Sequence, residues 1–131
     1  MHKSVADKFT EAYLQAYKDL VVHGPANETQ TTQGPVADAV QFETVMKFIE
    51  EAKAGKAELK MGGKRVGDKG YFIEPTVFTN VARDARINKE EVFGPVSVIQ
   101  YVHSSSICNQ LRVCVALSIR KKKQSNGQMT R

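Results

Sequence analysis

The sequence predicts an α/β fold, with two amphipathic helices and several strands of a mainly parallel sheet, on three observations. Apolar residues recur at helical spacing early in the chain, Val5, Phe9, Tyr13, Ala16, Tyr17 and Leu20 on one face and Phe42, Val45, Met46 and Ile49 on another. β-Branched and aromatic runs follow, YFIEPTVFTNV at 71–81 and VSVIQYV at 96–102. Helices alternating with such strands form layers, and the connections between them favour a parallel sheet.

Each element has its own signals. The first helix is expected from about residue 5 to 22, opened by Ser4 with Asp7 three residues on, the spacing of a capping box. The segment HGPANETQTTQGP has the Gly, Pro, Asn and Thr content of a loop. Asp38 offers an N-cap to the second helix, and Gly55 is placed to stop it. A short strand is expected in AELKM at 57–61, then a Gly-rich charged loop, GGKRVGDKG, at 62–70. Pro75 lacks an N–H, so it interrupts the next strand or puts it at a sheet edge. The unbroken apolar run at 96–102 reads as a strand buried on both faces.

Composition narrows the function. At 131 residues and 41% apolar the chain has the size of one domain. No run approaches the ~20 apolar residues of a membrane helix. The amino end has no signal-peptide core, so the expectation is a soluble, cytoplasmic protein without a membrane partner. Cys108 and Cys114 are too few for a disulfide framework, and His2, His23 and His103 are scattered without metal-ligand spacing. The net charge of +5 is uneven: residues 1–103 sum to −1, whereas residues 104–131 carry six basic side chains and no acid. Arg120 to Lys123 have no aromatic neighbours, so the tail is expected to be a solvated, disordered basic end, with no nucleic-acid partner.

Two motifs raise the question of a ligand. The glycine loop is not a phosphate cradle, because Gly63-Lys64 is followed by Arg65 where a P-loop needs Ser or Thr; it reads as a flexible connection between strands. The stretch KEEVFGPVSVIQ at 89–100 is more telling. Adjacent carboxylates, an aromatic and a Gly-Pro turn precede a buried strand. Such a turn can hold a carboxylate and a ring against a bound molecule.

These stretches together resemble the NAD(P)-dependent aldehyde dehydrogenases, most closely fungal-looking members. VADKF at 5–9, TTQGPVADAVQF at 31–42, the block from Met46 to Val81 and KEEVFGPVSVIQ appear in the family's order, over residues 1–103. The resemblance implies a partial catalytic domain of that fold at 1–103 and a divergent tail at 104–131. It also implies oxidation of an aldehyde to a carboxylic acid with NAD or NADP, in a homo-oligomer. In such enzymes the residue matching Glu91 accepts hydrogen bonds from the nicotinamide ribose hydroxyls, and the one matching Phe93 packs beside the nicotinamide. Gln41 falls where the family often makes another polar cofactor contact, and Thr44 stands at an often basic position. The nucleophilic cysteine and the general base precede the matching segment, so the resemblance assigns no catalytic residue here, and Cys108 and Cys114 do not substitute. The alternative reading is a catalytically inactive remnant that at most associates with full-length subunits.

Overall fold

The computed structural model describes residues 2–101; the tail, with its expected disorder, lies outside them. A short 3-10 turn, Lys3–Val5, leads into α1, Ala6–Leu20. The expected capping box does not form. Instead the His2 ring accepts the Ser4 backbone N–H and shares a hydrogen bond with the Ser4 hydroxyl, and α1 opens at Val5 with no side-chain cap. A ring nitrogen two residues before the serine has replaced the carboxylate three residues after it as partner.

The second helix, α2, runs Ala39–Ala54. Asp38 caps it as expected, its carboxylate accepting the Gln41 backbone N–H at 2.8 Å. Gly55 ends it, its N–H bonded to the Glu51 and Ala52 carbonyls. The buried face is Val45, Phe48, Ile49 and Ala52, with Phe42 and Met46 at its margin.

Three strands form one sheet in the order β1, β2, β3: Glu58–Met61, Thr76–Thr79 and Val96–Ile99. The expected parallel pairing joins β2 to β3, Thr76 opposite Val96 through Thr79 opposite Ile99. A parallel pair needs a crossover, and residues 80–95 supply it, including a single turn of helix, α3, Arg86–Lys89. β1 instead runs antiparallel to β2, so the sheet is mixed. The cause is the Gly-rich connection, which folds back on itself as a hairpin and carries no helix. Val66 N–H bonds to the Phe72 carbonyl and Glu74 N–H to the Lys64 carbonyl. The Arg65 guanidinium ties the tip, donating to the Asp68 and Gly70 carbonyls. The loop is thus a connection between strands, as expected, but an ordered one. At its start Gly62 has φ +73°, and a Cβ there would collide with the Pro75 carbonyl.

Pro75 immediately precedes β2, so the run from Tyr71 is interrupted there, and the strand that follows is central and not an edge. All four β2 residues are buried. Val45, Phe48, Ile49 and Ala52 of α2 pack with Ile73, Phe78, Val81, Ile87, Val92 and Val96 to form the core.

α1 joins this body mainly through hydroxyl groups. Tyr13 Oη lies 3.0 Å from the buried Ser97 Oγ on β3, Tyr17 Oη 3.3 Å from the same atom, and Thr10 Oγ1 3.4 Å from Tyr101 Oη. The helix buries only Ala6 and Thr10, while Val5, Phe9 and Leu20 stay exposed. Burial, the larger influence, pushes the Tyr13 phenol from 10.0 up to about 12, with the Ser97 hydrogen bond pulling the other way. A folded value above the unfolded one means that this contribution to stability is complete below pH 10.0 and is lost as pH rises to about 12. Urea unfolding across that window should show the loss, and Tyr13→Phe should abolish this part of it. At neutral pH the same substitution should cost about 1–2 kcal/mol, since it removes the part-buried bonds of Tyr13 to Ser97 and to Tyr17 while Tyr17 still partners Ser97.

Candidate functional site

The segment from Arg86 to Val96 is built by alternation and by two tight turns. Val92 is buried in the core, while Glu91 and Phe93 on either side of it face solvent, Phe93 with 68% of its surface exposed. An extended segment sends alternate side chains to opposite sides, so fixing Val92 inside presents its two neighbours outward. Gly94 N–H returns to the Val92 carbonyl at 2.8 Å, and Val96 N–H to the Gly94 carbonyl at 2.8 Å. Each closes a three-residue γ-turn, the second centred on Pro95, whose ring holds φ close to what an inverse γ-turn needs. The Pro95 carbonyl then accepts Thr76 N–H at 2.8 Å, which starts the β2–β3 ladder. The presenting turn is therefore continuous with the parallel pair.

Gly94 is required by proximity. A Cβ on it would stand 2.7 and 2.9 Å from the two γ-methyls of Val45, a fully buried residue of α2. Four residues earlier on that helix is Gln41, whose side-chain N–H donates to the Phe93 carbonyl at 2.7 Å. The first two turns of α2 thus hold the site by an apolar contact and a hydrogen bond. Thr44 returns its hydroxyl to the Val40 carbonyl of its own helix at 2.8 Å.

The two carboxylates of the motif have different surroundings. Glu90 is paired: Arg86 Nε and Nη2 both approach its Oε2 at 2.9 Å. The hydrogen bond from Arg86 holds the Glu90 carboxyl below its ordinary value of 4.5. The same guanidinium reaches Glu51 Oε1 at 3.4 Å and lies 4.3 Å over the Phe48 ring. Glu91 is exposed, and no described residue pairs with it.

The three residues singled out from the sequence thus meet at one turn, which carries Glu91 and Phe93 and which Gln41 reaches from α2. Glu91 and Phe93 are open to solvent, and Gln41 touches the backbone between Phe93 and Gly94. A free carboxylate is an acceptor-only group suited to a pair of hydroxyls, and an open ring face is suited to a flat heterocycle, so the residues present fit the ribose and base of a nicotinamide nucleotide. A cleft of about 240 Å³, lined in part by Tyr17, Lys18, His23, Met61 and Glu74, contains none of them. Sequence reasoning missed Arg86, although its four-residue spacing from Glu90 is the signal of a helical ion pair. It also missed the tie from Gln41 to Phe93, which joins residues 52 apart and leaves no local pattern.

The fold is thus a mixed α/β layer with an exposed carboxylate and an open ring ahead of a parallel strand. Residues 1–114 match the model of the Aldehyde dehydrogenase family, a match that runs past His103 and takes in Cys108 and Cys114. An aldehyde dehydrogenase of Davidiella tassiana is 46% identical over 99 residues, covering 76% of this chain and 20% of that protein. Retinal dehydrogenase 2 of Homo sapiens is 43% identical over 99 residues, with 76% and 19% covered. The NAD+ complex of the aldehyde dehydrogenase from Bacillus cereus is similar in structure at a TM-score of 0.75 and 38% identity, over 79% of this chain and 21% of that one. The chain belongs to the aldehyde dehydrogenase family. It spans about a fifth of the length of the curated relatives it matches.

Two outcomes test the geometry. Gly94→Ala should destabilise the fold by about 1–3 kcal/mol in urea unfolding, because Val45 has no free space into which to move; adding Val45→Ala should recover part of that loss. Glu90 has a folded value below the unfolded one, so its pair with Arg86 stabilises above 4.5 and is lost as pH falls through the lowered value. The difference in urea midpoint between the native chain and Glu90→Gln should therefore be present near neutral pH and vanish in acid.

Proposed function

We propose that this chain is the cofactor-facing part of an aldehyde dehydrogenase catalytic domain. The carrying observation is the split between two adjacent carboxylates: Glu90 is consumed by Arg86, and Glu91 is exposed without a described partner next to an open Phe93 ring. In the whole enzyme Glu91 accepts hydrogen bonds from the nicotinamide ribose hydroxyls, and Phe93 lies beside the nicotinamide. The bound NAD or NADP supplies the hydride acceptor for oxidation of an aldehyde to a carboxylic acid. The chain's own residues orient that end of the cofactor: the acceptor-only carboxylate fixes the ribose, the ring limits where the base can lie, and Gln41 fixes the backbone between them. The Aldehyde dehydrogenase family match and the similarity to a structure solved as an NAD+ complex support this reading.

The catalytic-domain part is assigned to residues 1–103 and the divergent tail to 104–131, in a cytoplasmic protein that works as a homo-oligomer. Among the described residues no helix is long and apolar enough to cross a membrane. Nor do three His, Cys, Asp or Glu side chains there converge as a metal site.

Saturation-transfer NMR of the chain with millimolar NADH tests the assignment. The expected result is transfer to the nicotinamide and its ribose in preference to the adenine, with Glu91→Gln weakening affinity about tenfold through loss of charge-assisted hydrogen bonds. Equal affinity of native chain and variant would remove Glu91 from the site.

A further inference from the structure

We propose that Arg86 is a positioning residue for this cofactor-facing turn, fixing Glu90 at the amino end of the segment whose outward side chains the burial of Val92 selects. The inference rests on the reading of Glu91 and Phe93 given above, and it adds a residue that touches neither cofactor nor substrate.

The helix that carries Arg86 cannot hold itself. α3 is a single turn, Arg86–Lys89, capped by no side chain, and one turn of helix is not stable alone. Its anchors are Ile87, buried in the core, the Asn88 side chain, which donates to the Ala82 carbonyl at 2.7 Å, and the guanidinium of Arg86. That guanidinium uses its face and its edge at once. One face stacks over Phe48 of α2, 4.3 Å from the ring centre, and the edge donates to Glu90 and reaches Glu51 of α2. Glu90 is the residue immediately after α3, and its own N–H returns to the Arg86 carbonyl at 2.9 Å. The polar tie from the amino end of the presenting segment to α2 therefore runs through the Arg86 side chain, beside the apolar packing of Ile87.

The other end is tied to the same helix by Gln41, and Val92 between them is buried. Segment 90–93 is held at three points in register. With Glu90 drawn to Arg86, Val92 goes inward, and Glu91 and Phe93 go outward together. Without the Arg86 side chain, Glu90 loses its ion pair, and the amino end of the segment keeps only its backbone bond and the burial of Val92. Lysine does not replace this arrangement, because an ammonium is a point charge without the flat fork that stacks and donates at the same time.

The experiment uses the full chain with Arg86→Met, Arg86→Lys and Glu90→Gln, read by amide hydrogen exchange and by NADH saturation transfer. The expected result for Arg86→Met is exchange about threefold or more faster at Glu90 and Gly94, with Ile49 of α2 and Val77 of β2 unchanged. Arg86→Lys should recover only part of the protection. Arg86→Met combined with Glu90→Gln should add little to either alone, since both remove the same pair. Transfer to the nicotinamide ribose should fall about threefold in Arg86→Met as the carboxylate loses its fixed direction. Native exchange rates at Glu90 and Gly94 in Arg86→Met would overturn the proposal. So would a uniform rise that includes Ile49 and Val77, which marks general destabilisation. Undiminished NADH transfer in Arg86→Met overturns it while leaving the cofactor assignment intact. If the native chain shows no transfer, the cofactor assignment falls, and with it the functional role of Arg86; exchange then decides only whether the clamp exists.

Discussion

The site depends on the contact between the α-carbon of Gly94 and the two methyls of Val45. Val45 is fully buried at the centre of the core, and it occupies the space that any side chain at position 94 would need. Because the backbone comes this close to α2, Gln41 on the same helix can reach the Phe93 carbonyl, and Val92 can enter the core. The γ-turns at Phe93 and Pro95 follow from the same approach, since the chain must reverse within a few residues to enter β3 beside β2. One apolar contact therefore sets the start of a parallel strand and the direction of two outward side chains.

Polar interactions then refine what packing permits. Asp38 and Gln41 have the spacing of a capping box, in which the third residue would ordinarily bond back to the cap. Asp38 does accept the Gln41 backbone N–H, but the Gln41 side chain leaves the helix and serves the turn. The helix end is thus capped by one residue, which releases the other to act at a distance. Arg86 shows the same economy, filling the flat space over Phe48 while satisfying Glu90. Exposed ion pairs contribute little to stability, so the weight of this one lies in direction.

Much of the fold was legible because it is written in local signals. Periodicity located both helices, Asp38 and Gly55 marked the ends of the second, and Pro75 marked where β2 could not have begun earlier. What failed was decided by partners distant in sequence. Ser4 chose His2 over Asp7 because the ring nitrogen was closer in the turn that formed. β1 became antiparallel because the glycine loop closed as a hairpin, a consequence of tip bonds from Arg65 that spacing does not announce. The apolar stripe of α1 predicted a helix correctly, yet Val5, Phe9 and Leu20 remain exposed, since periodicity says which face is apolar and not what covers it. At the candidate site, the motif pointed to Glu91 and Phe93 through resemblance, whereas the supports from α2 and α3 became visible only in three dimensions.

The paired glutamates differ in their surroundings, one held by Arg86 and the other open to solvent. A single glutamate beside Arg86 would be drawn into the ion pair, because an arginine one helical turn away is within reach. A second glutamate at the preceding position takes that arginine and leaves its neighbour free. Their adjacency then does geometric work: consecutive residues in an extended segment face opposite ways, so a carboxylate held against Arg86 directs the next one outward. Glu90 is in this sense the counterion that keeps Glu91 available, and the cost is a like-charge neighbour whose field solvent screens at the surface. The ring at Phe93, two residues beyond Glu91, shares its outward direction for the same reason.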